Sequence, residues 1–266
     1  MATWKIDSPQ DPRLEAFLDL RHRNPTWISG RFITEGKLVT DRLLSSGWTV
    51  ESLLVAPRHA ECYRARIPPD CELLIAEERL MADVVGYQFH RGVLACGLRP
   101  AMPTLLPLTR PLAPREVLVG TWGVQDPENL GNMMRCAAAF GAQRFILGPH
   151  TADPLSRRAL RVSMGTAFRL DLLRSVDLES DVGRFATEAG GRCAATVLDE
   201  TAISLDDYRP QSPVLLLFGN EAHGLPSELI AAADDRITLP MALGTDSLNV
   251  GVAAGIFLYA LTRAHR

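Results

Sequence analysis

The sequence predicts an α/β protein built as two units, and three observations predict it. Short apolar runs suited to buried strands alternate with segments of helical spacing along most of the chain. A stretch with five prolines, residues 100–114, follows neither period and separates an earlier set of elements from a later one. The later set opens as strand, polar loop, helix and strand over residues 116–147, the pattern of a βαβ unit and therefore of a mainly parallel sheet.

Composition bounds the rest. A chain of 266 residues with 47% hydrophobic content can bury one large core or two modest ones. The net charge of −3 argues against a generally basic surface, although nucleic-acid binding depends on where the arginines cluster. Lys5 and Lys37 are the only lysines. Cys62, Cys71, Cys96, Cys136 and Cys193 form an odd set with no C-x-x-C pair, so neither a disulfide framework nor a metal site is expected. The opening MATWKIDSPQD has no apolar signal core, and a cytoplasmic location is expected. The apolar run of residues 250–261 is too short to span a bilayer, so no membrane is expected.

Along the first unit, residues 12–23 have helical spacing through Leu14, Phe17, Leu18 and Leu20, with arginines at both ends. Residues 30–36, reading G-R-F-I-T-E-G, suit a strand that stops at Gly36. Residues 38–46 suit a helix closed by Gly47, residues 50–56 and 71–76 two strands, and residues 77–85 a short helix before Gly86. His90-Arg91-Gly92 is a turn leading into another strand, and its His90 and Arg91 are either substrate contacts or an ordinary surface turn. These spans place a small α/β domain at residues 1–99, a linker at 100–114 and a second domain at 115–266.

In the second domain, residues 116–120 form a buried strand, and a loop from Trp122 to Glu128 leads into a helix that stops at Gly141. Residues 144–147 are the next strand. Residues 154–162 look helical and carry Arg157, Arg158 and Arg161, the densest basic patch in the chain; this is either a phosphate-contacting surface or a solvated helix face. A helix at 178–189, strands at 192–198 and 213–218, a helix at 226–233 and a strand at 236–239 follow. The last helix is apolar nearly all round, from Leu248 to Leu261, and such a helix must be covered on several sides, by its own domain and a second subunit. Asp246 or Ser247 is placed to cap it. Ser247 and Asn249 therefore read either as capping residues or as a polar rim where a helix N-terminus meets a ligand.

Three loops each follow a buried strand, and ligands in open parallel sheets sit at the carboxyl ends of the strands. They gather Asn129, Arg135, Glu221, Ser247 and Asn249. No G-x-G-x-x-G, P-loop or G-x-S-x-G elbow is present, which argues against a dinucleotide site, a nucleotide-phosphate loop and a serine hydrolase.

Taken together, the loops resemble the SpoU (TrmH-type) branch of the SPOUT RNA methyltransferases. The match lies in D-P-x-N-x-G-x-x-x-R from Asp126 to Arg135, G-x-E-x-x-G-L from Gly219 to Leu225, and P-M followed by S-L-N-V from Pro240 to Val250. Ser163-Met164-Gly165 fits as well, and Leu239 stands where an isoleucine often precedes P-M. The first domain more loosely resembles the small α/β RNA-binding domain found before the catalytic domain in many members, through G-R-F-I-T-E-G and H-R-G-V-L-A.

The resemblance implies an α/β knot, a deep trefoil tied by the C-terminal segment, which pattern reasoning alone would read as a doubly wound sheet. It implies a homodimer through the C-terminal domain and S-adenosylmethionine bound by Gly219, Leu239 and Leu248, with the strand end Thr196, Val197 and Leu198 completing the pocket. It implies methyl transfer to a ribose 2′-hydroxyl, and the additional N-terminal domain favours ribosomal RNA over tRNA, with a tRNA enzyme, a base methyltransferase or a catalytically silent RNA binder as alternatives. Arg135 would engage the reacting hydroxyl or its phosphate, in its own subunit or across the dimer, while Asn129, Glu221, Ser247 and Asn249 orient it and the substrate. Arg31, Arg91, Arg157, Arg158 and Arg161 are the expected RNA contacts.

Overall fold

The computed structural model describes residues 2–20, 29–243 and 247–263. Its strands in chain order are β1 (Thr3–Lys5), β2 (Arg31–Glu35), β3 (Val50–Val55), β4 (Glu72–Ile75), β5 (Val93–Leu98), β6 (Val117–Thr121), β7 (Arg144–Leu147), β8 (Asp171–Arg174), β9 (Arg192–Thr196), β10 (Ile203–Ser204), β11 (Val214–Phe218) and β12 (Asp235–Thr238). Its α-helices are α1 (Lys37–Leu44), α2 (Pro57–Arg64), α3 (Glu78–Val85), α4 (Pro127–Phe140), α5 (Arg157–Val162), α6 (Leu178–Ala189), α7 (Ser227–Ala232) and α8 (Val250–Arg263). The chain divides into two compact units, Met1–Ala101 with Leu155–Phe168, and Met102–Pro154 with Arg169–Arg266.

The first unit is a five-stranded sheet in the order β1-β4-β3-β5-β2. Strands β1, β4 and β3 run parallel, and β5 runs antiparallel to both β3 and β2. A core of Ile6, Leu14, Phe17, Leu54, Leu74, Met81 and Val85 lies against one of its faces. The helix expected over residues 12–23 is instead a 3-10 turn over Pro12–Phe17, capped by Asp11; Arg21 and Arg23 lie outside the described residues. Strand β1 and helix α2 carry too little periodicity to be foreseen. Helix α2 opens on Pro57, a first-turn position where the missing N–H costs nothing.

Leu155–Phe168 follows the second unit's strands in sequence yet packs into the first unit, unlike the domain boundary read from the sequence. Ser156 caps α5 by accepting from the Ala159 N–H. The Arg157 guanidinium donates to the Tyr87 hydroxyl at 2.8 Å and to the Leu20 carbonyl, and lies 3.5 Å from Glu35 Oε2. Burial pushes the Tyr87 phenol up to about 12, so it stays a neutral donor to Glu35. Phe168 closes an aromatic cluster with Phe32 and Trp48, at centroid distances of 5.8 and 5.3 Å. Apolar and charged contacts together fix the segment where sequence order alone could not.

The second unit is a seven-stranded parallel sheet in the order β10-β12-β9-β11-β6-β7-β8. Strands β6 and β11 are buried at every position, as expected of parallel strands covered on both faces. Most of the proline-rich stretch expected as an interdomain linker, from Met102 onward, belongs to this unit. Leu105 N–H donates to the Arg174 carbonyl and Arg174 N–H to the Pro103 carbonyl, so these residues cover the free edge of β8. Leu105 and Leu106 are buried in the unit's core.

Helix α4 begins at Asp126, whose side chain accepts from the Glu128 N–H, has Pro127 in its first turn and ends at Gly141 in the left-handed region. Helix α8 lies against it. A Cβ on Gly251 would stand 3.0 Å from Asn132 Cβ, and one on Gly255 3.3 Å from Cys136 Sγ, so glycine at both places sets the close approach. Phe140 and Tyr259 extend the contact edge to face at 5.7 Å. Asn249 caps α8: its Oδ1 accepts from Gly251 N–H at 2.9 Å and from Val252 N–H at 3.3 Å. The sequence reading gave this role to Asp246 or Ser247. Asp246 and Gly244 lie outside the described residues, and Ser247 stands exposed ahead of the cap.

Candidate functional site

The sheet order decides what meets at one edge of the second unit. Strands β12, β9, β11 and β6 are consecutive neighbours and all parallel, so the loops that leave their carboxyl ends are neighbours too. Those loops hold Leu239 after β12, Val197 and Leu198 after β9, Gly219 to Leu225 after β11 and the approach to Asn129 after β6. They enclose a cleft of about 570 Å³ whose lining includes Asn129, Thr196, Val197, Leu198, Gly219, Glu221, Leu239, Ser247, Leu248 and Asn249. Every expected cofactor contact is therefore in one place, with four of the five expected catalytic residues. Arg135 does not line the cleft.

A directed line of hydrogen bonds joins the three loop motifs. Asn249 Oδ1 faces the backbone N–H groups that open α8, which leaves its Nδ2 to donate to Asn129 Oδ1 at 2.8 Å. Asn129 Nδ2 must then donate, and it does so to Glu221 Oε1 at 2.9 Å. Glu221 also accepts from the Gln125 and Asp126 N–H groups, each at 3.4 Å. The line runs one way only, from the cap of α8 to a carboxylate that accepts. Asn129 is 9% exposed, so leaving either end of its amide without a partner would cost the desolvation of a nearly buried polar group.

The walls of the cleft divide by chemistry. Phe218, Leu239, Leu248 and Phe257 supply apolar surface, and Asn129, Glu221, Ser247 and Asn249 are among the polar residues of the lining. Gly219 could be no other residue, because a Cβ there would fall 2.2 Å from the Gly224 carbonyl carbon. Thr196 spends its hydroxyl on the Leu217 carbonyl at 2.8 Å, so it braces β9 against β11 while its position lines the cleft.

Arg135 lies on α4 six residues beyond Asn129, which on an α-helix is about 9 Å along the axis and roughly 240° around it. Its side chain is exposed, with no hydrogen bond or ion pair among the described residues. Helix α8 exposes Val252, Ile256 and Tyr259 at successive turns.

The other expected contacts belong to the first unit. Arg31 makes a two-bond pair with Glu51, both N···O distances 2.6 Å, and Arg157 is tied to Tyr87 and Leu20. Arg91 lies 3.7 Å from Glu35 and remains half exposed. Arg158 and Arg161 are exposed on α5. Sequence reasoning passed over Asn220, a variable position inside a quoted motif, whose side chain makes three hydrogen bonds in the cleft loop. Asparagine beside glycine was the available signal, since asparagine bonds to backbone near itself in turns. His223, also unremarked, lines the same cleft.

The model of the SpoU rRNA Methylase family matches residues 116–259. An uncharacterized tRNA/rRNA methyltransferase of Mycobacterium bovis is 35% identical over 97% of this chain and 91% of its own. The 23S rRNA (guanosine(2553)-2'-O)-methyltransferase RlmP of Bacillus subtilis is 28% identical over 97% of this chain and 98% of its own. Among solved structures, the AdoMet-bound rRNA methyltransferase from Sinorhizobium meliloti superposes with a TM-score of 0.85 at 28% identity, covering 98% of each chain.

Proposed function

The chain belongs to the SpoU rRNA methylase family of RNA methyltransferases, and from that premise we propose that it transfers a methyl group from S-adenosylmethionine to a ribose 2′-hydroxyl of ribosomal RNA. The observation that carries the reading is the line from Asn249 through Asn129 to Glu221 at the rim of the cleft. RlmP, similar over nearly its whole length, is named for that reaction on ribosomal RNA, and the Sinorhizobium enzyme, similar over both units, is named for ribosomal RNA and bound cofactor.

The residues present suit the cofactor. A cleft of about 570 Å³ lies within the ordinary range for small-molecule sites. Leu239, Leu248 and Phe257 suit a purine, and main-chain groups of residues 219–224 suit its polar edge and the amino-acid end. When bound, S-adenosylmethionine supplies a methyl group already made electrophilic by its sulfonium, so the protein's share of the work is alignment of the hydroxyl. Asn129 and Asn249 cannot rotate without breaking the line, and Ser247 stands at the open rim, so these side chains give a rigid polar border to the reacting ribose. Arg135 engages the ribose hydroxyl or its phosphate through the donors of its guanidinium.

Two further parts belong to the same reading. The protein is a homodimer through α8, whose exposed Val252, Ile256 and Tyr259 need a cover, and Arg135 serves the cleft of the partner subunit. The exposed Arg91, Arg158 and Arg161 of the first unit contact RNA phosphates, whereas Arg31 and Arg157 hold their own fold together.

The test is to map 2′-O-methyl sites in RNA from cells with and without the protein, then to incubate the purified protein with labelled S-adenosylmethionine and unmodified ribosomal RNA or tRNA. Loss of one ribosomal site, restored in the tube, is the expected result. Transfer to tRNA alone, to a base, or to no RNA would overturn the proposal.

A further inference from the structure

We infer that Asn220 is a positioning residue that sets both the cofactor-facing loop and Glu221. The loop Gly219 to Gly224 folds back on itself. Asn220 N–H donates to the Gly224 carbonyl at 3.0 Å and Gly224 N–H to the Asn220 carbonyl at 2.9 Å, while the bare Gly219 lets the two backbones touch. Inside that closed turn, Asn220 Oδ1 accepts from Ala222 N–H at 2.9 Å and His223 N–H at 3.1 Å. Its Nδ2 donates outward, to the Gly123 carbonyl at 2.7 Å.

The outward bond is what turns a local loop motif into a part of the site. Gly123 has a φ of +67°, and a Cβ there would stand 3.3 Å from Asn220 Cβ, so glycine at 123 and asparagine at 220 fit each other. Trp122, next to it, donates its N–H to the Phe218 carbonyl at 2.9 Å. The connection between β6 and α4 is thus stitched to the end of β11 at two adjacent points. Glu221 follows Asn220 directly and accepts from Gln125 and Asp126 on that same connection and from Asn129 in the first turn of α4. Asn220 therefore fixes the separation between the carboxylate and the amide that it must meet, and holds residues 219–224 as a wall of the cleft.

No other common side chain makes all these bonds. Aspartate keeps the two acceptor bonds inside the turn but sets a carboxylate against the Gly123 carbonyl. Serine keeps an acceptor for the turn and cannot reach Gly123. Alanine does neither.

The inference rests on the reading of the cleft as the S-adenosylmethionine site. Its test uses the full-length protein with Asn220→Ala, Asn220→Asp and Asn220→Ser. S-adenosylmethionine affinity is measured by calorimetry, single-turnover methylation at saturating cofactor, and melting temperature separately. We expect Asn220→Ala and Asn220→Asp each to weaken the cofactor by about tenfold or more and to slow turnover at saturation, with RNA affinity unchanged. Asn220→Ser, which retains the turn, recovers part of the affinity but not the turnover, because residue 220 is still untethered from Gly123 and no longer sets the position of Glu221. A purely structural role would lower the melting temperature and the active fraction while the folded fraction keeps wild-type affinity and rate, and that result overturns the inference. So does wild-type behaviour from Asn220→Asp. Should Asn220→Ala fail to fold, Asn220→Ser and Asn220→Asp decide by the same measures. Failure of the wild-type protein to bind S-adenosylmethionine would overturn the cofactor-site reading and this inference together, whereas binding left intact by all three substitutions overturns this inference alone.

Discussion

Arg135→Ala and Glu221→Ala, placed in different subunits of one dimer, test where the arginine acts. Glu221 lines the cleft and anchors Asn129, whereas Arg135 stands exposed on α4 and outside the cleft lining. If the arginine reaches the partner's cleft, each single variant is inactive as a homodimer. A hybrid of the two has one ruined site, lacking both residues, and one intact site, built from the Glu221 of one subunit and the Arg135 of the other. Random pairing at equal amounts makes about half the dimers hybrid, and one of the two sites in each is intact, so the mixture regains about one quarter of the wild-type rate. Co-expression with two different tags, purification of hybrids through both tags and single-turnover methylation at saturating RNA provide the assay. Doubly tagged hybrids should reach about half the wild-type rate per dimer. Hybrids as inactive as the parents would refute the cross-subunit reasoning, and an active Arg135→Ala homodimer would remove Arg135 from the reaction altogether.

Three more expectations follow from particular contacts. Gly219→Ala places a methyl 2.2 Å from the Gly224 carbonyl carbon, which must open the loop and cost about 1–3 kcal/mol or more, read as lost cofactor binding by calorimetry and a lowered unfolding midpoint. Arg157→Ala removes the donor to Tyr87 and Leu20 and the ion partner of Glu35, and should destabilise the protein by about 2–4 kcal/mol in urea unfolding, with little change in the salt dependence of RNA binding. Arg192, through two bonds of 2.7 and 2.9 Å, holds the Asp235 carboxyl below the usual carboxylate range, against burial and with help from the Tyr208 hydroxyl. A carboxyl with a lowered folded value stabilises fully above the unfolded value, ~3.9, and loses that contribution as the pH falls through the folded value. Asp235→Asn should therefore be less stable than wild type at pH 7, with the difference shrinking on acidification below about pH 4 in parallel denaturation curves.

The polar residues Asn129, Glu221, Ser247 and Asn249 were legible in sequence because each lies in a short, local pattern. A buried apolar strand followed by glycine or proline and then polar residues marks the same kind of place three times, at Asn129, Glu221 and Ser247 with Asn249. Local chemistry likewise announced α4, with Asp126 and Pro127 at its start and Gly141 at its end. What the chain could not announce was partnership at long range. That Asn129 lies between Glu221 and Asn249 depends on residues 92 and 120 positions away, brought together by the sheet order β12-β9-β11-β6. The cap of α8 fell to Asn249 rather than to Asp246 or Ser247, since Asn249 both caps and reaches Asn129, a double engagement visible only once α4 and α8 are in contact. Arg157 read as a nucleic-acid contact because charge on a short helix looks the same whether it faces solvent or a buried tyrosine. The proline-rich stretch read as a linker because proline breaks both periods, yet Pro103 and Leu105 still offer backbone groups that a bare edge strand can take up. Sequence alone determined which residue types stand at the ends of which strands, because strand, turn and cap are decided within a few neighbours. Tertiary structure decided which of those residues complete one another's hydrogen bonds, because that depends on the order in which a parallel sheet sets its strands side by side.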